Sequence, residues 1–189
     1  EGFADLVALF QHFQYTDALR ADIAKCRGEL RLSSYLKNIG HQFGHALGGK
    51  TSLRNAITED LYDTGLEAHK MGQVLLPAVF DAYVTLFERK VAPLHRLASQ
   101  GTGVLPAGRL PDLLIEELAR KASDLASQFL SMLIRAVDYL PPVNVRLGEY
   151  LRAIITADSE LVPNDRWRYR EAMIDAFRKY RIYPRDVTS

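Results

Sequence analysis

A single cysteine, Cys26, stands among 189 residues. One thiol excludes a disulfide framework within the chain and any zinc site built on several thiolates. No general base neighbours it in sequence, so a small, part-buried hydrophobe is its expected role, and a reducing, cytoplasmic compartment suits it. An excess of charge of one sign is missing as well, with 24 Lys and Arg against 23 Asp and Glu. That balance gives no electrostatic reason for nucleic acid or an anionic membrane as partner. Apolar runs such as residues 74–80 are far shorter than the ~20 residues that span a bilayer. Strand alternation is confined to Val143-Asn144-Val145-Arg146-Leu147, which follows Pro142. There is no repeat, low-complexity tract or interdomain linker. No initiating Met, signal peptide or cap precedes Glu1, and Glu1-Gly2-Phe3-Ala4-Asp5-Leu6 reads as mid-helix, so the chain is expected to be cut from something longer.

What is present is helical periodicity. Phe3, Leu6, Val7, Phe10 and Phe13 form an apolar stripe at spacings of three and four. A second helix is predicted from Thr16 to Arg27, with Thr16 and Asp17 as candidate N-caps. A third runs from Ser33 or Ser34 towards Leu47 and stops at Gly48-Gly49; Ser52 to Ile57 can add a helical turn. Thr58 to Ala68 is polar and reads as a loop. His69 to Phe87 is apolar and helical, with Leu75, Leu76, Val79, Phe80, Tyr83 and Leu86 spaced for burial and Pro77 predicted to kink or break it. A loop follows from Gly101 to Pro111, then a long helix from Pro111 to Tyr139 that Pro141-Pro142 closes. Two last helices are predicted at Leu147 to Asp158 and Asp165 to Tyr180. The expected architecture is one all-α helical unit over residues 1–189.

Glu1 and Asp5 share a helix face, and Glu-x-x-x-Asp suits a metal-ligating carboxylate followed by an acid that orients a ligating histidine. The run Glu1-Gly2-Phe3-Ala4-Asp5, then Leu6-Val7-Ala8-Leu9-Phe10, resembles the third-ligand helix of the thermolysin-like gluzincin zinc peptidases. Further on, Met132-Leu133-Ile134-Arg135-Ala136 leads into Tyr139-Leu140-Pro141-Pro142. Tyr150-Leu151-Arg152-Ala153 through Ala157-Asp158 and then Met173-Ile174-Asp175-Ala176-Phe177 come after it. This order is similar to that family's helical C-terminal domain over about the last third of the chain. His69-Lys70-Met71-Gly72 resembles the segment whose histidine donates a hydrogen bond to the reaction's oxyanion. It departs from the family by one residue between histidine and glycine and by the missing Asn, and Asp63 and Glu67 stand near the family's orienting acid without matching it.

The resemblance implies a C-terminal part of a zinc-dependent peptidase, with Glu1 as third metal ligand, Asp5 supporting it from behind and His69 catalytic. The HExxH helix, which carries two zinc ligands and the general base, would belong to a missing N-terminal half. Zinc is then the cofactor of the intact parent, peptides or proteins its substrates, and this chain alone would bind no zinc and be inactive. Loss of that half would expose an apolar face and favour self-association.

His41-Gln42-Phe43-Gly44-His45 mimics HExxH and sets two imidazoles on one helix face, able to bind a metal. Gln cannot take a proton from activated water, and the only nearby Glu-x-x-x-Asp, Glu59 with Asp63, sits too close along the chain for this family. A degenerate metal site on His41 and His45 is one rival reading; a non-catalytic helical module that binds a peptide or partner helix is another. His12 and His95 have no constellation around them. Glu116-Glu117 with Arg120-Lys121 reads as a solvated, ion-paired face. So do Arg166, Arg168, Arg170, Arg178, Lys179 and Arg181 around Trp167, Tyr169 and Tyr180, because Asp165, Glu171 and Asp175 run through them.

Overall fold

The computed structural model describes residues 2–32 and 68–185. Its described residues form six α-helices and no strand: α1 Gly2–His12, α2 Thr16–Cys26, α3 Ala68–Ala98, α4 Asp112–Ala136, α5 Leu147–Leu161 and α6 Tyr169–Lys179. Short 3-10 turns cover Leu30–Leu32 and Val137–Tyr139. The all-α expectation therefore holds for the described residues. The helices expected from Ser33 or Ser34 to Leu47 and at Ser52 to Ile57, and most of the loop at 58–68, lie outside them.

The centre of the fold is α3. Its residues 74–80, 82–84, 86, 87 and 91 are buried on all sides, as expected of a helix that is apolar around its whole circumference. It packs against α1, α4 and most extensively α6. One continuous helix carries both Pro77 and Pro93, so the break expected at Pro77 does not occur. An internal proline costs about 3 kcal/mol in lost hydrogen bonding and clash, and the dense burial of its neighbours Leu75, Leu76, Ala78 and Val79 opposes that cost. His95 lies near the end of this same helix.

The apolar stripes of α1 and α4 close over α3. Leu6, Leu9 and Phe10 are buried on the first, with Phe13 just past its end, and Leu118, Ala122, Leu125, Phe129 and Leu133 on the second. At their junction Tyr83 meets Phe10, Phe13 and Phe129 with ring centroids 5.4, 4.9 and 5.5 Å away. Its hydroxyl donates to the Ala122 carbonyl at 2.9 Å, which satisfies the one polar atom in this cluster. Phe3 departs from the predicted stripe: it is 37% exposed and leans edge-on against Tyr150 of α5.

Two helix starts also differ from expectation. The N-cap of α2 is Tyr15, without a side-chain cap, and neither Thr16 nor Asp17 takes that place. Helix α6 begins at Tyr169 and not at Asp165, because Asp165 acts as its cap from outside. Its carboxylate accepts the Tyr169 amide at 2.7 Å and the Arg170 amide at 2.9 Å. The C-terminal segment then folds back over the start of α5, where a Cβ on Gly148 would lie 2.0 Å from the Tyr183 carbonyl oxygen. Only glycine fits that contact.

Candidate functional site

The first turns of α1 and α3 cross in backbone contact. A Cβ built on Gly2 would lie 2.7 Å from the Gly72 Cα and 3.2 Å from its carbonyl oxygen, closer than a side chain tolerates. Gly2 follows Glu1 by one peptide bond, and Gly72 stands three residues after His69 on α3. The crossing itself is between the backbones of Gly2 and Gly72. Asp5 sits one turn further along α1 and is half-buried. Glu1 itself and the His69 side chain lie outside the described residues, as do His41, His45, Glu59, Asp63 and Glu67. Among the described residues, no group of three His, Cys, Asp or Glu side chains could hold a metal ion, and no helix is long and apolar enough to cross a membrane.

The remaining nucleophilic and basic groups have structural surroundings. Burial, with the Asp22 charge adding to it, pushes the Cys26 thiol up to about 11, far from a reactive thiolate. His12 Nδ1 donates to the Ala8 carbonyl at 2.8 Å. His95 Nε2 is shut from solvent and makes no hydrogen bond among the described residues, and burial lowers its pKa against the opposing charge of Glu29.

The basic and aromatic cluster near the end is ion-paired, as its interleaved acids predict. Arg89 and Arg168 each reach Glu171 at 3.2 Å, Arg170 lies between Asp158 and Asp165 at 3.5 and 3.6 Å, and Lys179 reaches Asp81 at 2.9 Å. Asp81 also pairs with Arg31 from the other side. Burial alone would raise the Asp81 carboxyl, yet hydrogen bonds from Arg31 and Lys179 outweigh it and hold the group below its ordinary value.

A cavity of about 570 Å³ opens between α3, α4, α5 and the turn before α6, with Lys90, Gln128, Arg135, Asp158, Trp167 and Tyr169 in its walls. Lys90 Nζ donates to Gln128 Oε1 at 3.2 Å and sits 5.6 Å from the Trp167 ring centre and 5.1 Å from that of Tyr169. Sequence reasoning placed none of this as a site. Its residues come from four segments, and each of them taken alone reads as a helix face; the sole early signal was an aromatic pair among unlike charges at 165–171.

No family model, no curated protein and no solved structure matches this chain.

Proposed function

We propose that this chain supplies the third-ligand helix and the helical C-terminal domain of a thermolysin-like, zinc-dependent peptidase. The observation that carries the reading is the backbone crossing of Gly2 on Gly72. A peptidase of this kind needs its third ligand and its oxyanion donor at one place, and the contact of Gly2, next after Glu1 in sequence, with Gly72, three residues after His69, agrees with that need. The order of helices after α3, with the Arg135-Ala136 pair, the Tyr139-Leu140-Pro141 end and Asp158 in the last turn of α5, adds support.

In the intact enzyme zinc would polarise the scissile carbonyl and activate a water molecule. Glu1 would contribute one carboxylate to the metal, and Asp5, one turn on, would hold a ligating imidazole through its free ring N–H. His69 would donate to the oxyanion at the edge of the cleft. The general base and two further ligands would come from an HExxH helix encoded before Glu1, which would also cover the outer face of α1. Without it, self-association of the chain follows, readable by light scattering.

The test has two parts. The gene is read upstream of the Glu1 codon, and the protein carrying both segments is assayed on casein with and without a chelator. The reading expects an HExxH there and chelator-sensitive hydrolysis, while the 189-residue chain alone cleaves nothing. Absence of the motif, or chelator-sensitive hydrolysis by the chain alone, would overturn it.

A further inference from the structure

Lys90 is a half-buried cation that lines the cavity, and no carboxylate answers it among the described residues. Its Nζ lies 3.2 Å from Gln128 Oε1, 5.1 Å from the Tyr169 ring centre and 5.6 Å from that of Trp167. Gln128, Tyr169 and Trp167 line the same cavity, so the ammonium sits among its wall groups. Its one acceptor, Gln128 Oε1, is neutral and also takes the Tyr169 hydroxyl. An ammonium has three N–H donors, and a single shared oxygen does not satisfy them. The other cations of this region are all paired. Arg89 and Arg168 meet Glu171, Arg170 lies between Asp158 and Asp165, and Lys179 meets Asp81.

A cation part-shielded from water and offered only a neutral oxygen favours an added anion beside it. Burial and then the Lys121 charge lower the Lys90 pKa against the pull of Asp124, which agrees with that shortage. The acids that line the cavity are engaged elsewhere. Asp165 accepts two backbone amides, and Asp158 and Asp165 share Arg170 at 3.5 and 3.6 Å. Arg135 also lines the cavity without an ion pair among the described residues, but it is exposed, and water screens its charge. Lys90 is therefore the anchor for an anion. Met132, Leu161, Val162 and Trp167 add apolar lining.

We propose that this cavity binds an aliphatic monocarboxylate, its carboxylate paired with Lys90 and its hydrocarbon chain against the apolar lining. A small inorganic anion would leave that lining in water, and an uncharged apolar guest would leave Lys90 unanswered. The volume of about 570 Å³ lies within the ~300–1,000 Å³ of small-molecule sites. The site draws only on described residues of this chain, so it stands whether or not the chain belongs to a zinc enzyme.

Trp167 is the one tryptophan of the chain and lines the cavity, so its fluorescence reports occupancy directly. The experiment titrates the full chain with octanoate, octan-1-ol and octylammonium, three guests with the same chain length and different heads, below the concentrations at which they form micelles. Octanoate is expected to shift the emission saturably and to bind about tenfold tighter than either of the others, since a lost charged partner costs that much. Lys90→Met should weaken octanoate by about tenfold and leave octanol unchanged, while Lys90→Arg should keep most of the octanoate affinity. The helical circular dichroism of both variants is checked first. Octanol or octylammonium binding as tightly as octanoate, or no saturable response to octanoate, would overturn the proposal on the unaltered chain alone. A folded Lys90→Met chain that binds octanoate undiminished would overturn it as well.

Discussion

At His95 burial works against the charged form of the imidazole. Its Nε2 faces Gly28, where an added Cβ would lie 3.3 Å away, and it makes no hydrogen bond among the described residues. The folded pKa is depressed, so below about pH 6.5 the unfolded chain takes up a proton that the folded chain resists. Stability therefore falls as pH drops from about 6.5 through the depressed folded value. Urea midpoints across this range should show the slope, and His95→Leu should remove it; an unchanged slope in that variant would count against the burial of Nε2. At the Gly2–Gly72 crossing, Gly2→Ala would force a methyl group to within 2.7 Å of backbone. A loss of about 1–3 kcal/mol is expected from urea unfolding, as for other overpacked sites. A neutral result would mean that the helices do not meet there.

Among the elements, α6 depends on a cap that is distant in the chain from its first residue. Asp165→Ala would free the amides of Tyr169 and Arg170 and remove a carboxylate 3.6 Å from the Arg170 guanidinium. The expected cost is about 1–2 kcal/mol, measured by thermal or urea unfolding, with Asp165→Asn recovering part of it. This cap also shows what could be read from the sequence. Periodicity marked α6, but the chain reaches Tyr169 through Arg168 in the left-handed region, φ 57°, and propensity does not foresee an arginine there. The bounds of α4 were legible because its stripe is long and prolines close it. Those of α3 were not, because local rules give Pro77 and Pro93 their usual breaking role while tertiary burial overrides it. The absence of a side-chain cap at Tyr15 is a further case in which the motif suggested one residue and packing selected another.

For the molecule as a whole, acidic conditions should act twice, in separate ranges. The His95 effect begins near pH 6.5, whereas Asp81, held low by Arg31 and Lys179, adds stability above the unfolded carboxylate value of about 4 and loses it as pH falls further. Asp81→Asn should flatten only the lower range of a pH–stability profile. The resemblance proposed Glu1, Asp5 and His69 as single residues; the contact of Gly2 with Gly72 was not legible, since contact between residues 70 apart leaves no local pattern. The cavity was illegible for the same reason. The most direct test of the zinc reading is metal per chain, by elemental analysis of dialysed protein extended through the residues its gene encodes before Glu1. The account predicts about one zinc per chain, falling below about a tenth when Glu1 is changed to Ala. Zinc that survives Glu1→Ala but is lost on changing His41 or His45 would contradict it and make HQFGH the metal site.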